Sequence, residues 1–91
     1  MSAEKTDTDL REQIREIAAD IMEVDVDRIG WTTHFWDELD ADSMQGIELL
    51  SALERRFGIT IEQNALADMQ DVQSTSEVVM AIMKAASPDG P

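Results

Sequence analysis

The stretch from Asp42 to Gly58 does most to narrow what this chain can fold into. Within it Met44, Ile47, Leu50, Leu53 and Phe57 recur every three or four residues, and Leu49 broadens the row, which gives a helix one apolar face. Both boundaries are signalled. Asp42, with Gln45 three residues later, reads as a capping-box start. Arg55 and Arg56 complement the negative end of a helix, and Gly58 supplies the left-handed residue that closes it. Ile59 and Ile61 alternate but have no pairing partner, so they read as loop rather than strand.

A helix with one apolar stripe must bury it, and its candidate partners are also helical. Leu10, Ile14, Ile17, Ala18 and Ile21 form a second stripe, capped by Asp7 or Thr8 and ending near Glu23. Residues 63–69 hold only one or two turns. Ser74 or Ser76 then caps a last helix whose stripe is Val78, Val79, Ile82 and Met83. From Val24 to Ala41 the period is lost, which predicts a long ordered loop pinned by Ile29, Trp31, Phe35 and Leu39. Packing is the commoner fate of aromatics such as Trp31 and Trp36, with partner contact the alternative. Residues 1–7 and 87–91 are expected to be flexible tails around a domain at 8–86. The fold class is all-α: a small bundle of three main helices plus one short helix, with a long loop between helices one and two.

At 91 residues such a bundle builds one modest core, which favours a binding or carrying module over an enzyme with a deep cleft. Twenty acidic residues against seven basic ones leave a net charge of -13. That charge repels nucleic-acid phosphates and anionic membranes, favours partners with basic patches, and suits a monomer. There is no cysteine, so thiol chemistry requires an imported group. The polar N-terminal segment has no signal-like apolar run, and no stretch approaches the ~18 apolar residues of a membrane span. A cytoplasmic setting is expected.

Few residues offer chemistry. Asp25, Asp27 and Gly30 match the first, third and sixth positions of a calcium loop, but Ile29 takes a ligand position and Trp36 stands where a bidentate glutamate is needed. His34 is the only histidine, without a second metal ligand of its kind or a nucleophile positioned beside it. Acidic pairs are too frequent for any to be assigned a catalytic role. What remains is Asp42-Ser43-Met44, a hydroxyl at the junction of loop and helix. By itself it reads first as an ordinary helix cap.

The stretch FWDELDADSMQGIELLSALERRFGITI resembles the acyl and peptidyl carrier proteins, whose second helix opens on an aspartate-serine-leucine triplet. Phe35 and Leu39 match the family's loop, Asp42 and Ser43 the triplet, and Glu48, Leu49, Leu53, Glu54 and Phe57 its helix. The resemblance extends more weakly through helix one and through Val72, Ser74, Val78 and Ile82. It implies a non-catalytic carrier, with 4'-phosphopantetheine attached covalently to Ser43 by a phosphopantetheinyl transferase and acyl groups carried as thioesters. It also implies partner docking at Asp42, Met44, Ile47, Glu48 and Glu54. Those partners would be acyl-loading, ketosynthase, acyltransferase or condensation-type enzymes with basic patches. A peptidyl or aminoacyl carrier, or an acidic helical adaptor for a basic protein, is the alternative.

The sequence departs from the family pattern in four places. Met44 replaces leucine with little change in volume, Asp40 stands where glycine is common, and Gln45 stands where fatty-acid carriers often have an acid. Arg55 and Arg56 occupy a stretch that is commonly acidic in those carriers. The reading therefore leans to a discrete carrier of a polyketide or lipopeptide pathway rather than fatty-acid synthesis. Phe35, Leu50, Leu53, Val78 and Ile82 are candidates to line an acyl space, although any small core needs such residues.

Overall fold

Each apolar stripe becomes a helix in the computed structural model, which describes residues 3–86. Helix α1 spans Ala3–Met22, α2 spans Ser43–Phe57 and α3 spans Val72–Ala86. A short 3-10 helix, Gln63–Asp68, precedes α3, and a single 3-10 turn, Val26–Arg28, interrupts the long loop. The expected tail at 87–91 lies outside the described residues.

Helix α1 starts earlier than its stripe suggests. It is helical from Ala3, so most of the expected tail at 1–7 is helix, and Asp7 and Thr8 lie within it rather than capping it. Apolar periodicity marks only the turns that pack, and the polar turns before Leu10 carry no such mark. At the other end Glu23 adopts φ 58°, its amide donates to Asp20 O at 3.3 Å, and Val24 N donates to Ala19 O at 3.1 Å. This is a Schellman ending with glutamate where glycine is usual.

Helix α1 packs against both α2 and α3, and the 3-10 helix Gln63–Asp68 bridges α2 and α3. Ile14, Ile29, Phe35, Leu49, Leu53, Met69, Val72 and Val79 are fully buried and form the centre of the core. Of the proposed acyl-lining residues, Phe35, Leu50 and Leu53 are therefore core, while Val78 and Ile82 are half-buried. Among the described residues no helix is long and apolar enough to cross a membrane.

Two expectations about α3 are corrected. Its cap is Asp71, not Ser74 or Ser76: Asp71 Oδ1 accepts from Ser74 N at 2.7 Å, and Ser74 Oγ accepts from Asp71 N at 3.1 Å. Its buried face is Val72, Thr75, Ser76 and Val79, while Met83 is exposed. Thr75 and Ser76 are wholly buried on this face, and the Ser76 hydroxyl is satisfied internally by donating to Gln73 O at 2.7 Å. Thr75 Oγ1 is buried without a partner.

The long loop is ordered by its backbone as much as by its apolar anchors. Phe35 N donates to Gln70 O at 2.8 Å and Gln73 N donates to Trp31 O at 2.9 Å, which ties the loop to the entry of α3. Arg15 on α1 donates from Nε to Val26 O at 3.2 Å, and its guanidinium carbon lies 5.7 Å from the Trp31 ring centre. Trp31 is thus a half-open lid on Arg15, and Ile29 and Phe35 are the anchors that reach the core. Asp25 precedes the 3-10 turn and Asp27 lies within it, and His34 Nδ1 accepts from Asp37 N at 3.2 Å within the loop.

Candidate functional site

Ser43 is the first residue of α2 and is exposed. The loop delivers it there. Phe35 is wholly buried, Ala41 N donates to Phe35 O at 3.0 Å, and Asp40 turns the chain with φ 57°. That left-handed angle explains why glycine suits position 40, and aspartate is among the side chains that adopt it most readily. Asp42 then caps the helix in the predicted box: its Oδ1 accepts from Gln45 N at 2.9 Å, and Gln45 Oε1 accepts from Asp42 N at 3.1 Å.

This geometry separates the two roles that the sequence left open at the junction. Asp42 is the cap, so the Ser43 hydroxyl is not needed for it. The first amides of a helix lack internal acceptors. Gln45 N is taken by Asp42, which leaves those of Ser43 and Met44, with the positive end of the helix dipole, to favour an anion held at the serine.

Beside Ser43 runs an open cleft of about 980 Å³ between α2, the end of the long loop and the short 3-10 helix. Its apolar walls include Trp36, Ala41, Ile47 and Leu66, with Gln63 and Asn64 at the rim. Sequence reasoning missed the part that Trp36, Gly46 and the 3-10 helix play here. A glycine inside an otherwise strong helix was the available signal, because it often marks a close approach. A cofactor joined through a serine phosphodiester fits this arrangement: Ser43 is exposed, it stands at the N-terminal end of α2, and the adjoining cleft has room for an extended arm.

Four of the five expected docking residues are exposed at the cap and in the first turns of α2. Asp42 and Glu48 are exposed, and Met44 and Ile47 are 69% and 41% exposed despite belonging to the apolar row of α2. Glu54 is placed differently. It is half-buried further along the helix, and its Oε2 accepts from Ile61 N at 2.7 Å, so this carboxylate holds the loop after Gly58.

Comparison with known proteins agrees with this layout. Residues 12–79 match the family described as Phosphopantetheine attachment site. The chain is 41% identical over 69 residues to polyketide-8 synthase acyl carrier protein 1 of Streptomyces avermitilis, covering 76% of this chain and 82% of that one. It is 38% identical over 69 residues to the acyl carrier protein of Petrotoga mobilis, covering 76% and 81%. A chain in the solved structure described as "The ishigamide ketosynthase/chain length factor" superposes with a TM-score of 0.65 at 40% identity, covering 79% of this chain and 90% of that one. The fold, the serine at the helix start and these matches together show that the chain belongs to the acyl carrier proteins, non-catalytic carriers with covalently attached 4'-phosphopantetheine.

Proposed function

We propose that Ser43 bears the phosphopantetheine arm and that the outward face of α2 presents it to the enzymes of a polyketide assembly system. The capping box carries this reading, because Asp42 takes the structural role and leaves the neighbouring hydroxyl free and exposed. The arm supplies a terminal thiol on which acyl groups travel as thioesters, a group this cysteine-free chain lacks. The protein supplies placement. Met44 and Ile47 offer adaptable apolar contact, while Asp42 and Glu48 pair with basic patches on a phosphopantetheinyl transferase and on ketosynthase-type partners. The polyketide setting is supported by the Streptomyces avermitilis relative and by the ketosynthase/chain length factor structure. The cellular setting in this reading is the cytoplasm, where coenzyme A thioesters are available.

Incubation with coenzyme A and a broad-specificity transferase is expected to add one phosphopantetheinyl group, read by intact mass. The Ser43→Ala variant should gain none. A variant that is still modified would place the arm elsewhere.

A further inference from the structure

Met44, one residue after Ser43, is 69% exposed, more than any other large apolar side chain among the described residues. The other methionines among those residues are better covered. Met83 is 41% exposed, Met80 is half-buried, and Met22 and Met69 belong to the core. Thiols and thioethers are the side-chain sulfur centres that oxidants attack, and with no cysteine in the chain the thioethers stand alone. An oxidant must reach the sulfur, so exposure orders these four behind Met44. Position gives that reactivity a consequence. Asp42 just before it and Glu48 one helical turn after it are exposed acids, so a basic partner that pairs with both closes over the Met44 side chain. Leucine here would offer a similar apolar volume without an oxidisable atom.

We propose that Met44 is a peroxide-responsive modification site whose conversion to the sulfoxide blocks docking of the enzyme that loads Ser43. This rests on the attachment residue and docking face given above. A sulfur lone pair attacks one peroxide oxygen, the O–O bond breaks, a sulfur–oxygen bond forms, and the remaining oxygen leaves as water. The sulfur is oxidised by two electrons and the peroxide is reduced by two. The product is polar and chiral where the thioether was apolar and flexible. Closing a partner over such a dipole without a hydrogen bond lowers affinity by about tenfold or more. The fold is untouched, because Met44 lies outside the core. A methionine sulfoxide reductase, drawing two electrons and two protons from a dithiol, returns the thioether and releases water, so the block is reversible.

The test treats the chain before loading, when the arm's own thiol is absent, with graded hydrogen peroxide that catalase then removes. Peptide masses assign each added oxygen, and the initial rate of transferase loading from coenzyme A is measured. Oxygen on Met44 should accumulate ahead of Met22, Met69, Met80 and Met83, and the rate should fall by about tenfold in step with it. Helical circular dichroism should not change, and reductases for both sulfoxide epimers should restore mass and rate. Met44→Gln, polar and similar in length, should load slowly without peroxide, whereas Met44→Leu should load at one rate before and after treatment. Full oxidation of Met44 with no loss of rate overturns the proposal, as does a loss that persists in Met44→Leu or one that accompanies lost helical signal. If the untreated chain gains no phosphopantetheinyl group, the attachment reading fails first and this inference with it.

Discussion

Glu23 ends α1 with φ 58°, a left-handed conformation that costs an ordinary L-residue about 1–2 kcal/mol. Replacing it with glycine removes that cost but loosens the unfolded chain, which returns about 0.4–1 kcal/mol. The net backbone gain is about 1 kcal/mol. A second contribution is electrostatic, since Glu23 places negative charge at the negative end of the helix, worth about 0.3–1 kcal/mol at an exposed position. The two are separable because Glu23→Ala removes the charge and keeps the strained angle. Glu23→Ala should therefore stabilise slightly, and Glu23→Gly by about 1 kcal/mol more, or roughly 4–8 °C in Tm for a domain of this size. Urea unfolding followed by helical circular dichroism, analysed by linear extrapolation, gives both values. Glu23 is exposed, so little packing is lost in either variant. If Glu23→Ala proves as stable as Glu23→Gly, the left-handed backbone is not the source of the gain and the reasoning fails.

The remaining predictions concern the two acids that the structure sets apart on α2. Glu54→Ala should cost about 1.5–3 kcal/mol in urea unfolding, because it strands the Ile61 amide that the carboxylate now accepts from, and Glu54→Gln should recover much of that loss by keeping an acceptor. Glu48→Lys should leave stability within about 0.5 kcal/mol, since Glu48 is exposed and makes no contact the fold requires. It should nonetheless slow transferase loading at low salt, with the difference shrinking as ionic strength rises. A rate that does not respond to Glu48→Lys would move the docking face elsewhere.

Much of the bundle was legible because its signals act over a few residues. The capping box of Asp42 and Gln45 and the left-handed stop at Gly58 depend on the chain within one turn, and both stand in the structure as the sequence implied. Less legible were features shared between distant segments. The cap of α3 was misassigned because Asp71, Ser74 and Ser76 are all capable of capping, and packing selected the register that buries Thr75 and Ser76. The apolar period of α2 runs through Met44 and Ile47 as it does through Leu50 and Leu53, and periodicity alone does not tell which of these are covered; the structure leaves Met44 and Ile47 exposed and buries Leu50 and Leu53.

The same division applies at the site. The sequence by itself determined that a serine stands at the start of a strong amphipathic helix in a chain without cysteine, because spacing and composition are one-dimensional properties. Only the tertiary structure decided that Glu54 turns inward to Ile61 and that Trp36 reaches Gly46 in the cleft. Each of these depends on where one side chain can go once its neighbours occupy space. Close packing fixes that only when the loop, α2 and the short 3-10 helix are brought together.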